Sequence, residues 1–236
     1  MITAIIIAGG SGHRMGRDIP KQFIKVNDKP VLLYTLIGFQ EHPIIDAIEV
    51  VCIDGWQNEV WEYASKNNIS KLKWVVDGGE TVQESIRNGV RFLEGIADEQ
   101  DIIVIHDGIR PLVDKSVLTD VIETAKKYGN AVSSMPYNEQ IFVTEDDVST
   151  TQFIPRETLR RVATPQAYRF DLLDSKYHEA FEKKVGIYGS HYTNTMMVEL
   201  GVRLYFAKGS DKNIKLTTED DLALFKAYLE SGVEKE

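Results

Sequence analysis

Apolar positions along the chain fall into two alternating kinds of run. Short segments, continuous and apolar at residues 3–8 (Thr-Ala-Ile-Ile-Ile-Ala) and Asp101–Ile105, and more mixed at Ile48–Cys52, Leu72–Val76 and Ala131–Met135, form the first kind. Apolar on both faces, the first of these reads as a buried parallel strand, and the others follow it as strands. Between them lie longer segments with helical spacing, at Val31–Gln40, Gln57–Lys66, Thr81–Phe92 and Leu118–Tyr128. The rhythm breaks over residues 137–161, which are polar with short alternating pieces such as Gln140-Ile141-Phe142-Val143, the pattern of a hairpin arm leaving a sheet. It returns with a helix over 169–183, a segment around 193–200, a strand over 202–206 and a last helix from Thr218.

With no internal repeat and no low-complexity stretch, this alternation predicts one α/β domain over residues 1–236, with an arm at about 137–161. The sheet is expected to be doubly wound and mostly parallel, with helices on both faces. Ligands of such folds bind beyond the C-terminal ends of the strands. The loops 8–16, 77–85 and 106–111 each follow a strand and should converge there.

Composition narrows the class. The 236 residues, 43% of them hydrophobic, suffice for one sizeable core. The single cysteine, Cys52, lies in an apolar run and has no partner for an internal disulfide. No apolar run reaches the roughly 18 residues that span a bilayer. The first apolar stretch lacks a basic lead and is too short for a signal peptide. These features point to the cytoplasm. A net charge of −9 argues against a general nucleic-acid or membrane surface. It leaves room for a phosphorylated ligand held by a few local cations and backbone amides.

The loop after the first strand supplies such groups. It reads Ala8-Gly9-Gly10-Ser11-Gly12-His13-Arg14-Met15-Gly16, followed by Pro20-Lys21-Gln22-Phe23. Glycines let backbone N–H groups wrap a polyphosphate, and Arg14 and Lys21 add positive charge. The spacing is neither the dinucleotide fingerprint nor a Walker loop. A second motif runs Asp77-Gly78-Gly79-Glu80-Thr81 to Ser85, where Thr81 or Glu80 could equally cap the helix. A third, His106-Asp107-Gly108-Ile109-Arg110-Pro111, places a carboxylate at a strand end, where a hard cation beside phosphates would want it. His106 there reads as orienting the loop rather than as a general base. The fourth, Asp211-Lys212-Asn213-Ile214-Lys215 with Thr217, would alone be an ordinary solvated loop.

Taken in order, the motifs resemble those of the cytidylyltransferases that act on methylerythritol phosphate and ribitol phosphate, from Ile6 to about Leu229. More distantly, the glycine loop and lysine are similar to those of sugar-nucleotide pyrophosphorylases. The resemblance implies a Rossmann-like nucleotidyltransferase with CTP and a small polyol phosphate as substrates, Mg²⁺ as cofactor and a homodimer that exchanges arms. It assigns Arg14, Lys21 and Lys215 to catalysis, and Ala8, Gly9, Gly10, Gly12, Gly79, Glu80 and Ser85 to the nucleotide. Asp107 and Asp211 are implied at the metal. Arg110, Gln140, Arg156, Thr164 (in Thr164-Pro165-Gln166) and Thr193 are implied at the acceptor, with Arg156 reaching the partner subunit's substrate.

Three positions depart from the family pattern. Val82 stands where the family usually has arginine, Glu139-Gln140 where it has Asp-Thr, and Thr193-Asn194-Thr195 where it often has Thr-Asp. The phosphate-handling residues are kept and those expected near the polyol are changed, which points to an alditol phosphate acceptor destined for a cell-surface polymer. The alternatives are a methylerythritol phosphate enzyme, another sugar-phosphate nucleotidyltransferase, and an inactive nucleotide-binding module. Retention of Lys21, Asp107, Asp211 and Lys215 argues against the last, and the missing fingerprint disfavours a dinucleotide-dependent oxidoreductase.

Overall fold

The structure is a computed structural model, and residues 1–10, 19–189 and 192–232 are described. The chain begins with β1 (Ile2–Ala8), whose following loop leads through a 3-10 turn (Lys21–Phe23) to a small hairpin, β2 (Lys25–Val26) and β3 (Lys29–Pro30). Then come α1 (Val31–Glu41), β4 (Ala47–Cys52), α2 (Gln57–Lys66), β5 (Leu72–Asp77), α3 (Val82–Phe92), β6 (Ile102–Asp107), α4 (Lys115–Tyr128) and β7 (Asn130–Pro136). The arm is a hairpin, β8 (Ile141–Val143) and β9 (Gln152–Ile154), leading to β10 (Arg160–Arg169). The chain closes with α5 (Phe170–Lys183), α6 (Thr193–Glu199), β11 (Phe206–Lys208) and α7 (Glu219–Glu230).

Seven strands form the central sheet in the order β11-β7-β10-β6-β1-β4-β5. β1 pairs in parallel with β4 and β6, β4 with β5, and β11 with β7, whereas β10 runs antiparallel to both its neighbours. Alternation sorts the side chains of each strand to opposite faces. Ala4, Ile6, Ile48, Val50 and Val104 pack under α1, α2 and α4. Ile5, Val51, Ile103 and Ile105 pack under α3, α5 and α6. A third cluster seats α7 on the β2–β3 hairpin through Phe225, Leu222, Ile24 and Val26. Helix starts are set locally. Thr81 with Glu84 and Thr218 with Asp221 form capping boxes, each satisfying two otherwise unpaired amides.

The doubly wound, mostly parallel sheet is as expected, and three details differ. The strand expected over 202–206 forms at 206–208, because before Phe206 the chain is held by the Asn130 side chain, bonded to the Arg203 carbonyl and the Tyr205 amide, in place of ladder pairing. His106 and Asp107, read as a loop, complete β6 by pairing with Ile6 and Ile7. β10 spans the end of the segment expected as arm and a stretch for which the pattern predicts no element. Its polar first half, Arg160 to Thr164, has no apolar run to signal a strand.

Candidate active site

Reversal of β10 positions the site. Because it runs against its neighbours, its first half lies at the sheet edge where the parallel strands end, and Thr164 reaches the end of β6. The Thr164 hydroxyl donates to Asp107 Oδ2 at 3.2 Å and accepts from the Asp107 amide at 3.1 Å. Arg110 Nε donates to Asp107 Oδ2 at 2.9 Å, and Lys215 Nζ to Asp107 Oδ1 at 3.1 Å. Arg110 also donates through Nη1 to the Asn213 carbonyl at 2.7 Å, and the Asn213 amide donates to the Thr164 carbonyl at 2.7 Å. Residues from β6, β10 and the loop after β11 are thus locked into one cluster. Burial alone would raise the Asp107 pKa, but Lys215 and Arg110 outweigh it and hold the carboxyl well below the usual carboxylate range.

The turn carrying Asp107 is fixed from beneath. Thr35 of α1 donates to the Gly108 carbonyl at 2.9 Å, and the Gly108 amide donates to the Ile7 carbonyl at 2.9 Å. His106 is fully buried, and its Nε2 donates to the Arg110 carbonyl at 3.0 Å. Burial lowers its pKa to about 4, so the ring is neutral and orients the turn, as the sequence reading has it.

Over their described residues, the loops after β1 and β5 meet. A Cβ built on Gly9 would lie 2.9 Å from Ser85 Oγ, and one on Gly78 would lie 3.2 Å from the same atom and 3.4 Å from Gly9 Cα. Side chains are excluded where the two loops touch, so both backbones remain accessible at the strand ends. Ser85 Oγ accepts from the Gly79 amide and donates to the Thr81 carbonyl, each at 2.9 Å. The serine therefore shapes this loop, and the Gly79 amide, expected to read the base, is already engaged. Glu80 is exposed. Gln22, which the motif reading gave no role, is buried and donates to the carbonyls of Ala8 (2.7 Å) and Gly10 (3.0 Å). It ties the glycine loop to the turn that carries Lys21. Gly12 and Arg14 lie outside the described residues.

Beside Asp107 opens a cleft of about 250 Å³ lined by Arg110, Ser133, Ser134, Arg161, Asp211 and Lys215 among others. Arg161 forms an ion pair with Asp211 at its rim, a contact no sequence motif signalled. Of the other expected acceptor residues, Thr193 is buried with its hydroxyl 2.8 Å from the Tyr177 hydroxyl. Gln140 and Arg156 are exposed on the arm, Arg156 at a separate hollow with Asn138 and Glu157. Val82 opens α3 with its side chain exposed, and Asn194 is buried with its Oδ1 unpartnered among the described residues.

Magnesium in phosphoryl-transfer sites is held by one or two carboxylates together with substrate phosphates. The ionised oxygens of Asp107 are hard donors and fit such an ion, but each already faces a cation. The other expected ligand, Asp211, engages Arg161. This donor set suits an ion that arrives on a polyphosphate, not one resident in a cage of protein ligands. Among the described residues, the one cluster of three metal-type ligands is Glu94, Asp174 and His178. It lies beyond the far end of α3, away from Asp107.

Residues 2–231 match the family model for 2-C-methyl-D-erythritol 4-phosphate cytidylyltransferase, IspD. The chain belongs to this family. Among the relatives of this cytidylyltransferase chain, ribitol-5-phosphate cytidylyltransferase of Lacticaseibacillus paracasei is 59% identical, over 97% of this chain and 98% of the relative. 2-C-methyl-D-erythritol 4-phosphate cytidylyltransferase of Syntrophus aciditrophicus is 34% identical over 97% and 95%. The crystal structure of 4-diphosphocytidyl-2C-methyl-D-erythritol synthase from Anaerococcus prevotii shares the fold with a TM-score of 0.81 at 23% identity, covering 97% of this chain and 96% of that one.

Proposed function

We propose that this cytidylyltransferase converts ribitol 5-phosphate and CTP to CDP-ribitol and pyrophosphate, for assembly of a cell-surface polymer. The observation that carries the chemistry is the Asp107 cluster, which sets Arg110 and Lys215 at a strand end beside the converged glycine loops. The 59% identity to a ribitol-5-phosphate cytidylyltransferase, against 34% and 35% to methylerythritol phosphate enzymes, favours the alditol.

A phosphate monoester has its second pKa near about 6, so the acceptor is largely dianionic at neutral pH and needs no general base. A neutral His106, committed to a carbonyl, is consistent with that. One acceptor phosphate oxygen forms a bond to the α-phosphorus of CTP as the bond to the β-phosphate bridging oxygen breaks. The electron pair leaves with pyrophosphate. Repulsion between two polyanions is the obstacle, and Arg14, Lys21 and Lys215 counter it. Asp107 would hold Mg²⁺ carried by the triphosphate, with Asp211 joining it on release from Arg161. When bound, that ion supplies further charge neutralisation at the phosphates.

Arm exchange in a homodimer completes the reading. Phe142 and Phe153 are cross-strand partners on the arm yet 56% and 68% exposed, an apolar face that a second subunit would cover. Among the described residues no helix is long and apolar enough to cross a membrane. The test is product formation from CTP and ribitol 5-phosphate, followed by mass spectrometry. CDP-ribitol should form with CTP and fail to form with ATP or in excess EDTA. Equal use of ATP, or full activity in EDTA, contradicts the proposal.

A further inference from the structure

Between the nucleotide loop and the Asp107 cluster runs a buried chain of hydrogen bonds that the chemistry above does not use. Its centre is Tyr177 of α5, 1% exposed; Gln83 of α3 and Thr193 of α6 are equally enclosed. The phenol donates to Gln83 Oε1 at 3.0 Å and lies 2.8 Å from Thr193 Oγ1. Having one proton, it accepts from the threonine. The Gln83 amide nitrogen donates in turn to the Gly186 carbonyl at 2.8 Å. Each group's direction is thereby fixed, because a carbonyl can only accept. Burial holds the proton on Tyr177 by raising its pKa.

The Gln83 amide nitrogen also lies 3.5 Å from the Tyr192 carbonyl. Gln83 lies two residues before Ser85, which shapes the base loop. Gly186 is pressed on α6, where a Cβ would come 2.6 Å from Met196 Cα. Thr193 is the first residue of α6. Immediately before it, Tyr192 stands half exposed with its ring centroid 5.6 Å from Lys215 Nζ, within cation–π range. The same ammonium donates to Asp107.

We propose that Tyr177 and Gln83 are positioning residues for cytidylyl transfer: through Thr193 and the Gly186 carbonyl they hold Tyr192 against Lys215, and so fix where that ammonium meets the phosphates. The inference rests on the functional reading above and adds residues to it. A fully enclosed polar chain is costly if any member loses its partner, so each one constrains the next. A small displacement of a charge-stabilising group is enough to slow a transfer reaction.

The experiment uses Tyr177→Phe, Thr193→Val, Thr193→Ser and Tyr192→Leu in the full chain. Tyr177→Phe and Thr193→Val should each lower kcat/KM with CTP and ribitol 5-phosphate by about tenfold. Thr193→Ser, which keeps the hydroxyl, should recover most of the activity that Thr193→Val loses. Combining Tyr177→Phe with Tyr192→Leu should cost little beyond either alone, as coupled residues do. Pyrophosphate binding, measured calorimetrically with no acceptor present, should weaken about three- to tenfold in Tyr177→Phe. A Tyr177→Phe variant that melts earlier but keeps wild-type kcat/KM and pyrophosphate affinity overturns the proposal, as does full additivity with Tyr192→Leu. Should Tyr177→Phe not fold, Thr193→Val against Thr193→Ser decides by the same readouts. A wild-type chain inactive on every polyol phosphate would sink the functional reading, while the pyrophosphate comparison still judges the positioning.

Discussion

Glu49 offers a test of how the core is built. It lies on β4 between Ile5 and Trp74, wholly enclosed, with neither carboxylate oxygen hydrogen-bonded among the described residues. α3 passes directly over it, and a Cβ on Gly89 would come 2.7 Å from Glu49 Oε1. Desolvation raises its pKa from 4.5 to about 9, so the side chain is buried as the neutral acid. The folded state therefore binds a proton that the unfolded chain gives up above its own pKa. Stability from this group is fully present below pH 4.5 and is lost as pH rises towards about 9. At about 1.4 kcal/mol per unit, the loss reaches about 3 kcal/mol at pH 7 and about 6 kcal/mol above pH 9. In a chain of this size each pH unit corresponds to about 3–6 °C in Tm. Urea unfolding of wild type and Glu49→Gln, followed by tryptophan fluorescence at pH 5, 6, 7 and 8, isolates the term. Glutamine has its own burial cost, but that cost does not vary with pH. The stability difference should move in favour of the variant by about 1.4 kcal/mol for each unit. Parallel profiles, with a constant difference from pH 5 to 8, would refute a neutral buried Glu49.

The catalytic reading gives further expectations. Lys21→Ala should lower kcat by about 10²-fold or more with the fold retained, as lost charge-stabilising groups do; near-wild-type turnover removes Lys21 from the reaction. If each site takes Lys21 from one subunit and Arg156 from the other, Lys21→Ala and Arg156→Ala homodimers should both be nearly inactive. Equal mixing after dissociation should restore about a quarter of wild-type activity, by twofold counting. No recovery despite proven subunit exchange means that Arg156 serves its own chain or no site.

How much of this was legible in the sequence depended on whether a residue's role is local. The parallel strands and their helices announce themselves by apolar runs and periodicity, and one helix start by Thr81 as a cap. The glycine loop, the Gly78-Gly79 turn and the Asp107 turn were found because each follows such a strand. β10 was hidden because half of it is polar and its partners are distant in the chain. The roles of Gln22, Arg161 and Tyr177 were hidden for the same reason. Their partners lie 12 to 94 residues away, and only the fold brings them together. The departures at Val82 and Gln140 are visible as differences, but both side chains are exposed, and no contact among the described residues explains the change.

The central claim, that the acceptor is ribitol 5-phosphate, is tested most directly by pyrophosphate release with CTP, Mg²⁺ and a panel of polyol phosphates at subsaturating concentration. Ribitol 5-phosphate should give the highest kcat/KM, well above 2-C-methyl-D-erythritol 4-phosphate. If methylerythritol phosphate leads the panel, Val82, Gln140 and Asn194 do not mark a changed acceptor, and the claim is wrong.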